Sequence, residues 1–447
     1  MTLKLYNTLG RKKQAFKPIK KGEVGIYSCG LTVYNYGHIG NYRAFVASDI
    51  LTRYLKYLDY KVKKIVNITD VDDKTIKGSI KEGKKLKDYT KIYEDAFFED
   101  EKAMNIEPAS VYPRATEHIK EMVSLIKDLL KKEIAYKSDD GIYFNVKKFK
   151  DYGKLAGIKV DKLKAGGSER VSKDEYDKEN VSDFALWKFY DKEDGDVFWD
   201  VDIGKGRPGW HIECSAMSSK YLGQPFDIHT GGVDLIFPHH ENEIAQSEGA
   251  KCKKFVDYWV HNEWMMVNGK KMSKSLGNYF TVRDIIEKGY TPLALRYFFL
   301  TGHYRSQLNF TLDNLKNSQN SLERLKRIIS KIKDDKKTNE KYLKKFEKAM
   351  DEDLDTVNAL QVLWELVRDS KAEGKIQSIK KIDSVLGLDL LKKEKVSVPD
   401  EVMKLVKERE KARKDKDWEK ADQLRDKIKS KGFQVNDTGD GSKVEKI

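Results

Sequence analysis

Residues 24–68 constrain the fold more than any other stretch of this chain. Val24-Gly25-Ile26-Tyr27-Ser28-Cys29 is a short apolar run, read as a buried strand. The loop after it is punctuated by Gly30, Gly37 and Gly40. From Asn41 onward, Phe45, Val46, Ile50, Leu51, Tyr54, Leu55 and Leu58 recur at steps of three and four residues, the period of an amphipathic helix. Residues 62–68 are rich in β-branched side chains and end in Thr69-Asp70, so they read as a second strand. Strand, glycine loop, helix, strand is a βαβ unit. Parallel neighbours need such a crossover, so the expectation is an α/β chain with a parallel, nucleotide-type sheet covered by helices.

The rest of the chain divides by texture. At 447 residues the length prior is about three domains. Residues 107–205 carry short strands such as 141–146 and a polar run at 166–180, and read as an insertion between two halves of one sheet. The strand pattern resumes at Phe226-Asp227-Ile228-His229, and residues 258–266 form a further expected strand. Residues 312–390 are nearly free of Gly and Pro, rich in lysine and periodic at helical spacing, as at Leu354, Val357, Leu360, Leu363 and Leu366. A charged linker at 392–399 leads to a basic helical segment at 402–431 and a small Gly/Asp-rich tail.

Composition excludes several classes. Lys+Arg 86 against Asp+Glu 72 gives a net charge of +14, which suits a polyanionic partner and equally suits a solvated lysine-rich surface. Three cysteines in a chain this long are no disulfide framework. No apolar run approaches the roughly 20 residues that span a bilayer, and residues 1–20 lack the apolar core of a signal peptide. The expected compartment is the cytoplasm, with no membrane partner.

Two loops point to phosphate. Gly37-His38-Ile39-Gly40-Asn41 lies at the strand-to-helix junction, where unpaired N–H groups and the helix dipole attract anions. Gly40 lets a base or phosphate approach the backbone, and His38 can donate to a phosphate oxygen. Alone, this is equally a histidine in a turn. Lys271-Met272-Ser273-Lys274-Ser275, ahead of a helical pattern near Thr281, is a cationic loop with hydroxyls that could hold a polyphosphate; alone, it is equally a solvated turn. Together the two resemble the His-Ile-Gly-His and Lys-Met-Ser-Lys-Ser signatures of class I aminoacyl-tRNA synthetases, with Asn41 in the last position of the first. That resemblance implies a Rossmann-like catalytic domain that activates an amino acid with ATP.

A third constellation has metal-ligand chemistry. His239 and Glu243 are four apart, so a helix following Pro238 would put them on one face, with His240 and Glu241 pointing elsewhere. Cys29 ends the first strand, and Cys214 lies in Gly209-Trp210-His211-Ile212-Glu213-Cys214-Ser215. Two thiolates, an imidazole and a carboxylate can hold zinc tetrahedrally, but spacing alone leaves both cysteines equally readable as core residues. Cys29-Gly30-Leu31-Thr32-Val33-Tyr34, Asn67-Ile68-Thr69-Asp70-Val71-Asp72-Asp73-Lys74, the stretch 206–217 and the stretch 237–246 are similar to the cysteinyl-tRNA synthetase family, and the similarity runs essentially from end to end. It implies one zinc per chain on Cys29, Cys214, His239 and Glu243, which recognises the sulfur of the substrate cysteine. The chemistry is apt: zinc deprotonates a thiol outright and prefers soft sulfur, whereas serine's hydroxyl resists ionisation.

The resemblance also implies the reaction. L-cysteine and ATP, accompanied by Mg²⁺, give cysteinyl-adenylate and pyrophosphate, and the acyl group then moves to the 3′ end of the tRNA for cysteine. The expected catalytic residues are His38, Lys271 and Lys274. Gly37, His38, Gly40, Asn41, Lys271, Ser273 and Lys274 would bind ATP. Thr69, Trp210 and His229 would wall the cysteine pocket, and Asp234 would meet the substrate ammonium. The implied architecture is a Rossmann-like catalytic domain over 1–310, with the insertion at about 107–205 and a tRNA-stem-contact region at about 251–310. A helical bundle over 311–391 and an anticodon-binding region over 392–447 follow, in a monomer. Gly441-Ser442-Lys443-Val444 departs from the family's usual tail and puts any tail-specific contact in doubt. Cys252 belongs to no motif and reads as an incidental thiol. Two rivals remain: a ligase joining cysteine to an amino sugar by the same activation, against which the 392–447 region argues, and a nucleic-acid-binding protein without catalysis.

Overall fold

A computed structural model describes residues 2–158, 183–272, 277–392, 399–438 and 441–446. The βαβ unit is present as β1 (Glu23–Ser28), α1 (Ile39–Tyr57) and β2 (Lys61–Val66). Later in the chain come α2 (Trp210–Leu222), β3 (Phe226–Gly232), α3 (Glu241–Lys251) and β4 (Val256–Asn262). The four strands make one parallel sheet in the order β4-β3-β1-β2. From β1 the chain crosses through α1 to β2 on one side, and β3 lies on the other. The strand order therefore reverses between β1 and β3, the place where open α/β sheets leave a crevice at the carboxyl ends of their strands. Ser28 pairs with Thr230 there, so Cys29 emerges at that edge.

The first helix begins two residues earlier than its periodicity predicts, because His38 caps it. The His38 ring Nδ1 accepts the Asn41 N–H at 3.1 Å, and Asn41 Oδ1 accepts the His38 N–H at 3.0 Å. This reciprocal pair satisfies helix-end N–H groups that would otherwise lack partners. The helix is buried nearly all round, through Ile39, Tyr42, Phe45, Val46, Ile50, Leu51, Tyr54 and Leu55. Each such side chain contributes roughly 1.5–3 kcal/mol of burial.

The insertion consists of a helix, Ile119–Lys131, and an antiparallel sheet of Ala135–Lys137, Gly141–Phe144, Phe184–Phe189 and Gly206–Pro208. Its last strand runs past the expected end at 205, and the chain turns directly into α2. The polar run at 166–180 lies outside the described residues.

The strand expected over 258–266 is two strands. β4 stops at Asn262, where its partner β3 ends, and Met265–Val267 joins a second sheet. There it pairs in parallel with Leu308–Phe310 and antiparallel with Lys270–Lys271. The hairpin turns on Asn268 (φ 51) and Gly269 (φ 72), the positive-φ pair that a tight two-residue hairpin requires. Four helices follow: Leu312–Ile329, Glu340–Asp351, Thr356–Arg368 and Lys375–Leu386. Leu354 is in the turn between the second and third rather than on a helix. The last packs on α1, where Arg53 donates to Ser384 O at 3.2 Å.

Residues 391–447 form a compact unit of their own. The expected single helical segment is two helices, Asp400–Lys414 and Trp418–Ser430, broken where Lys416 takes a φ of 59. The tail is a β-hairpin of Phe433–Thr438 and Gly441–Lys446. Val402, Val406, Ile428, Phe433 and Val435 supply its core. Among the described residues, no helix is long and apolar enough to cross a membrane.

Candidate functional site

Three segments distant in sequence meet at the β1–β3 crevice. Cys29 follows β1, Cys214 lies in α2, and the third segment supplies both His239, two residues before α3, and Glu243 in its first turn. One ligand atom from each lies within 4.8 Å of all the others. Tetrahedral zinc with Zn–S bonds of about 2.3 Å puts its two sulfurs about 3.8 Å apart. Cys29 Sγ and Cys214 Sγ are 3.9 Å apart. His239 Nε2 is buried, 3.1 Å from Glu243 Oε1, and makes no hydrogen bond among the described residues. An orphaned nitrogen beside a carboxylate and two sulfurs is a donor set that fits a soft divalent cation. Of the four residues, Cys29 alone keeps some exposure, and so marks the side from which a substrate would enter.

Electrostatics agree. Burial alone would raise the Glu243 carboxyl, but His229 and then His239 bring it down to about 2. Burial would likewise raise Cys214, yet the hydrogen bond from Cys29 and the charge of His239 outweigh it and bring the thiol to about 6. Burial and the Cys214 neighbour push Cys29 well above the usual thiol range. The centre therefore holds negative charge that a bound cation would neutralise while displacing protons from the ligands.

His240 does not point away, as the helical argument expected. Its Nε2 is 3.4 Å from Cys29 Sγ and 4.0 Å from Glu243 Oε1. Residues three apart on a helix are neighbours as surely as residues four apart, so His240 shares the face of Glu243 with His239. His240 Nδ1 is hydrogen-bonded to His261 Nε2 at 2.7 Å, and His261 Nδ1 to Thr8 Oγ1 at 2.7 Å. Cys29, His229, His240 and Glu243 thus form a second overlapping donor group. The first group has both thiols and the unengaged His239 nitrogen, and so suits zinc better. Glu241 does point elsewhere: it accepts the N–H groups of Gly153 at 2.8 Å and Ala156 at 2.9 Å.

The pocket residues fall into two groups. Thr69 is buried and donates to Glu213 Oε2 at 2.8 Å; Trp210 stacks on the His239 ring at 4.2 Å; His229 Nε2 lies 3.0 Å from Glu243 Oε2. Trp210 and His229 touch members of the donor cluster directly, and Thr69 touches Glu213, the neighbour of Cys214. Asp234 is exposed in the turn Val233–Leu235 after β3.

At the nucleotide end, His38 Nδ1 is an acceptor, so in the neutral ring Nε2 carries the proton as a donor. Gly40 sits in a crowded place: a Cβ there would lie 3.0 Å from the His38 ring and 3.4 Å from Met272 Cε, so a side chain would press on the ring. Gly37 packs as closely on Tyr42 and Leu31. The lysine segment lies beside this helix end. Ile39 N–H donates to Phe280 O at 2.9 Å, and His38 bridges Thr281. Asn278 Nδ2 donates to Lys271 O at 3.0 Å. Lys271 is exposed at the hairpin end, its Nζ 5.4 Å from the Trp264 ring. Ser273 and Lys274 lie outside the described residues.

Sequence reasoning missed His240, His261, Glu213 and Thr8. The three-residue spacing to Glu243 was a usable signal for His240. Thr8 carries no signal, because only the tertiary fold brings the antiparallel strand pair Lys4–Asn7 and Lys12–Ala15 to β4.

A family model for the class I (C) tRNA synthetase catalytic domain matches residues 15–320. A second, for the cysteinyl-tRNA ligase anticodon binding domain, matches residues 396–444. The chain is 48% identical to a cysteine–tRNA ligase of Brachyspira hyodysenteriae over 98% of both chains. It is 44% identical to that of Protochlamydia amoebophila over 99% of this chain and 98% of the other. Among solved structures, it superposes on a Mycobacterium tuberculosis methionyl-tRNA synthetase in complex with methionyl-adenylate, with a TM-score of 0.58 at 14% identity, covering 82% and 88% of the two chains. It superposes on an Agrobacterium radiobacter LeuRS in a ternary complex with a TM-score of 0.59 at 11% identity, covering 84% of each. Those two likenesses carry the fold alone. The amino-sugar reading finds no support in these matches. With a catalytic-domain model over most of its length and ligase relatives matched from end to end, the chain belongs to the cysteinyl-tRNA synthetase family of class I aminoacyl-tRNA ligases and is a cysteine–tRNA ligase.

Proposed function

We propose that this ligase selects L-cysteine at the Cys29–Cys214–His239–Glu243 centre and activates it at the capped end of α1. The observation that carries this reading is the convergence of those four donors at the switch point of the sheet, on the edge from which α1 departs. The four residues would hold zinc, which supplies a soft cationic centre favouring a deprotonated sulfur over a hydroxyl. His229 holds Glu243 in place, and Trp210 packs on His239, so both orient ligands. Thr69 closes the pocket wall, and Asp234 at the rim meets the substrate ammonium.

ATP enters with magnesium, its phosphates over the N-terminus of α1. Asn41 fixes the His38 ring so that Nε2–H donates to a phosphate oxygen. Gly37 and Gly40 leave room around it, and Ser273 is a further ATP-binding residue by its place in the lysine motif. The cysteine carboxylate attacks the α-phosphorus, and pyrophosphate leaves. Lys271 and Lys274 stabilise the charge that grows on the leaving phosphates, the kind of assistance that dominates such transfers. The terminal ribose hydroxyl of tRNA then takes the acyl group and AMP departs.

Residues 1–310 act as the catalytic domain, with the insertion at 107–205 and the segment 251–310 meeting the tRNA stem. Residues 311–391 form the connecting bundle, and 392–447 meet the anticodon. The enzyme works as a cytoplasmic monomer. The test is attachment of labelled cysteine to its tRNA, with and without a chelator. Charging that persists unchanged in fully metal-depleted protein would overturn the metal-based selection.

A further inference from the structure

Arg43 lies five residues after His38 on α1 and is only 2% exposed. Its guanidinium donates to five main-chain carbonyls. Nη1 reaches Glu263 O at 2.8 Å and Trp264 O at 2.6 Å; Nη2 reaches Ser306 O at 2.5 Å, His303 O at 3.2 Å and Tyr304 O at 3.5 Å. Among the described residues it hydrogen-bonds to no carboxylate. The other buried arginines differ. Arg53 and Arg296 pair with Asp49, Arg207 with Asp73 and Asp194, and Arg409 with Asp437. A buried arginine that spends its rigid fork on carbonyls, with the Glu263 side chain acting on it only through charge, is costly and geometrically specific.

The five carbonyls belong to two segments. Glu263 and Trp264 lead into Met265–Val267, and residues 303–306 lead into Leu308–Phe310. These two strands pair with each other, and the first carries the antiparallel strand Lys270–Lys271. Arg43 therefore holds the root of the whole lysine-bearing sheet. The far side of the lysine loop is tied to the same helix through Phe280 O and Ile39 N–H. Trp264, whose carbonyl Arg43 grips, also presents its ring to the Lys271 ammonium.

We propose that Arg43 is a positioning residue for adenylate formation: its clamp on five carbonyls sets the lysine-bearing hairpin at the right height over the capped end of α1, so that His38 and Lys271 engage one polyphosphate together. This rests on the reading of His38 and Lys271 as ATP-binding groups. A misplacement of about 1 Å costs on the order of 100-fold in rate. Lysine keeps the charge but lacks the planar fork, and cannot hold both segments at once.

The experiment is a double-mutant cycle of Arg43→Lys and Lys271→Ala in the full-length, metal-loaded enzyme, read by cysteine-dependent ATP–pyrophosphate exchange. Expected: Arg43→Lys lowers kcat about 100-fold with KM for cysteine and metal content unchanged, and the double variant is scarcely slower than the worse single one. Additive effects would overturn the proposal, because Arg43 would then act independently of the lysine loop. If Lys271→Ala alone exchanged at the wild-type rate, the ATP reading of that lysine would fail instead. Should Arg43→Lys fold poorly, Arg43→Gln and hydrogen exchange of the 263–272 amides decide. Faster exchange confined to that hairpin supports the clamp, and unchanged exchange there refutes it.

Discussion

The metal centre and the nucleotide end face the same crevice but are built in opposite ways. The four donors of the first come from three segments, three of the donors being fully buried, and are braced by His229, Trp210 and the His240–His261–Thr8 series. The second is a helix end sealed by two neighbouring residues, plus an exposed hairpin whose lysine meets solvent. If the first centre tells sulfur from oxygen, as proposed, it needs fixed distances, and burial supplies them. If the second admits ATP and releases pyrophosphate, as proposed, it needs an open side, and exposure supplies that. Mutations should therefore fail differently in the two regions: all or none at the metal, graded by rate at the nucleotide.

The largest expected effect is at the metal. Cys214→Ser should drop bound zinc from about one per chain towards none and slow cysteine charging by at least 100-fold, with serine now competing. Metal analysis alongside charging assays checks it, and retained stoichiometric zinc would end that ligand assignment. Next comes Lys274→Ala, expected to slow adenylate formation about 100- to 1,000-fold while cysteine affinity holds. Wild-type ATP–pyrophosphate exchange in this variant would erase the contrast between the two regions. Asn41→Ala removes only the return bond to the His38 N–H. It should cost about 0.5–1 kcal/mol of stability as the helix end loosens, while the main-chain N–H of residue 41 still meets the His38 ring and exchange stays within a few-fold of wild type. Thermal melts and exchange rates measure both.

The smallest effect on activity serves as a control outside both regions. Burial raises the Glu101 carboxyl to about 7, against the weaker opposing pull of Lys64 and Tyr112. The folded chain thus keeps a proton that the unfolded chain releases from about pH 4.5 upward. Its stabilising share is full in acid and is lost as pH rises through about 7. Glu101→Gln has no such loss, so it should gain on the order of 2 kcal/mol relative to wild type between pH 5 and pH 8, with activity kept. Melting curves of both proteins across that range test the sign, and a constant difference would refute it.

Local chemistry made much of this legible. The periodicity of Phe45 to Leu58 and the β-branched run at 62–68 foretold α1, β2 and hence a parallel sheet, because amphipathic period and crossover geometry are short-range facts. Asn268-Gly269 could have announced its hairpin in the same way. Errors came where a neighbour in space overrode the local pattern. The run at 258–266 changes sheets at Glu263, because β3 ends and Leu308–Phe310 offers a new partner. His240 turned inward because two spacings, not one, reach Glu243.

By itself, the order of residues determined the αβ alternation and which side chains have the chemistry to bind phosphate or metal; that His38 caps α1 came from the structure. It left open whether Cys29 and Cys214 were ligands or core, since nothing within either segment says what it faces. The tertiary structure brought the two together in one cluster of possible metal donors. Placing β3 against β1 brings Cys29 within 3.9 Å of a sulfur 185 residues away, and burying Arg43 joins the lysine hairpin to α1. Both are consequences of strand order and packing, which depend on the whole chain closing its core and cannot be read from any window of it.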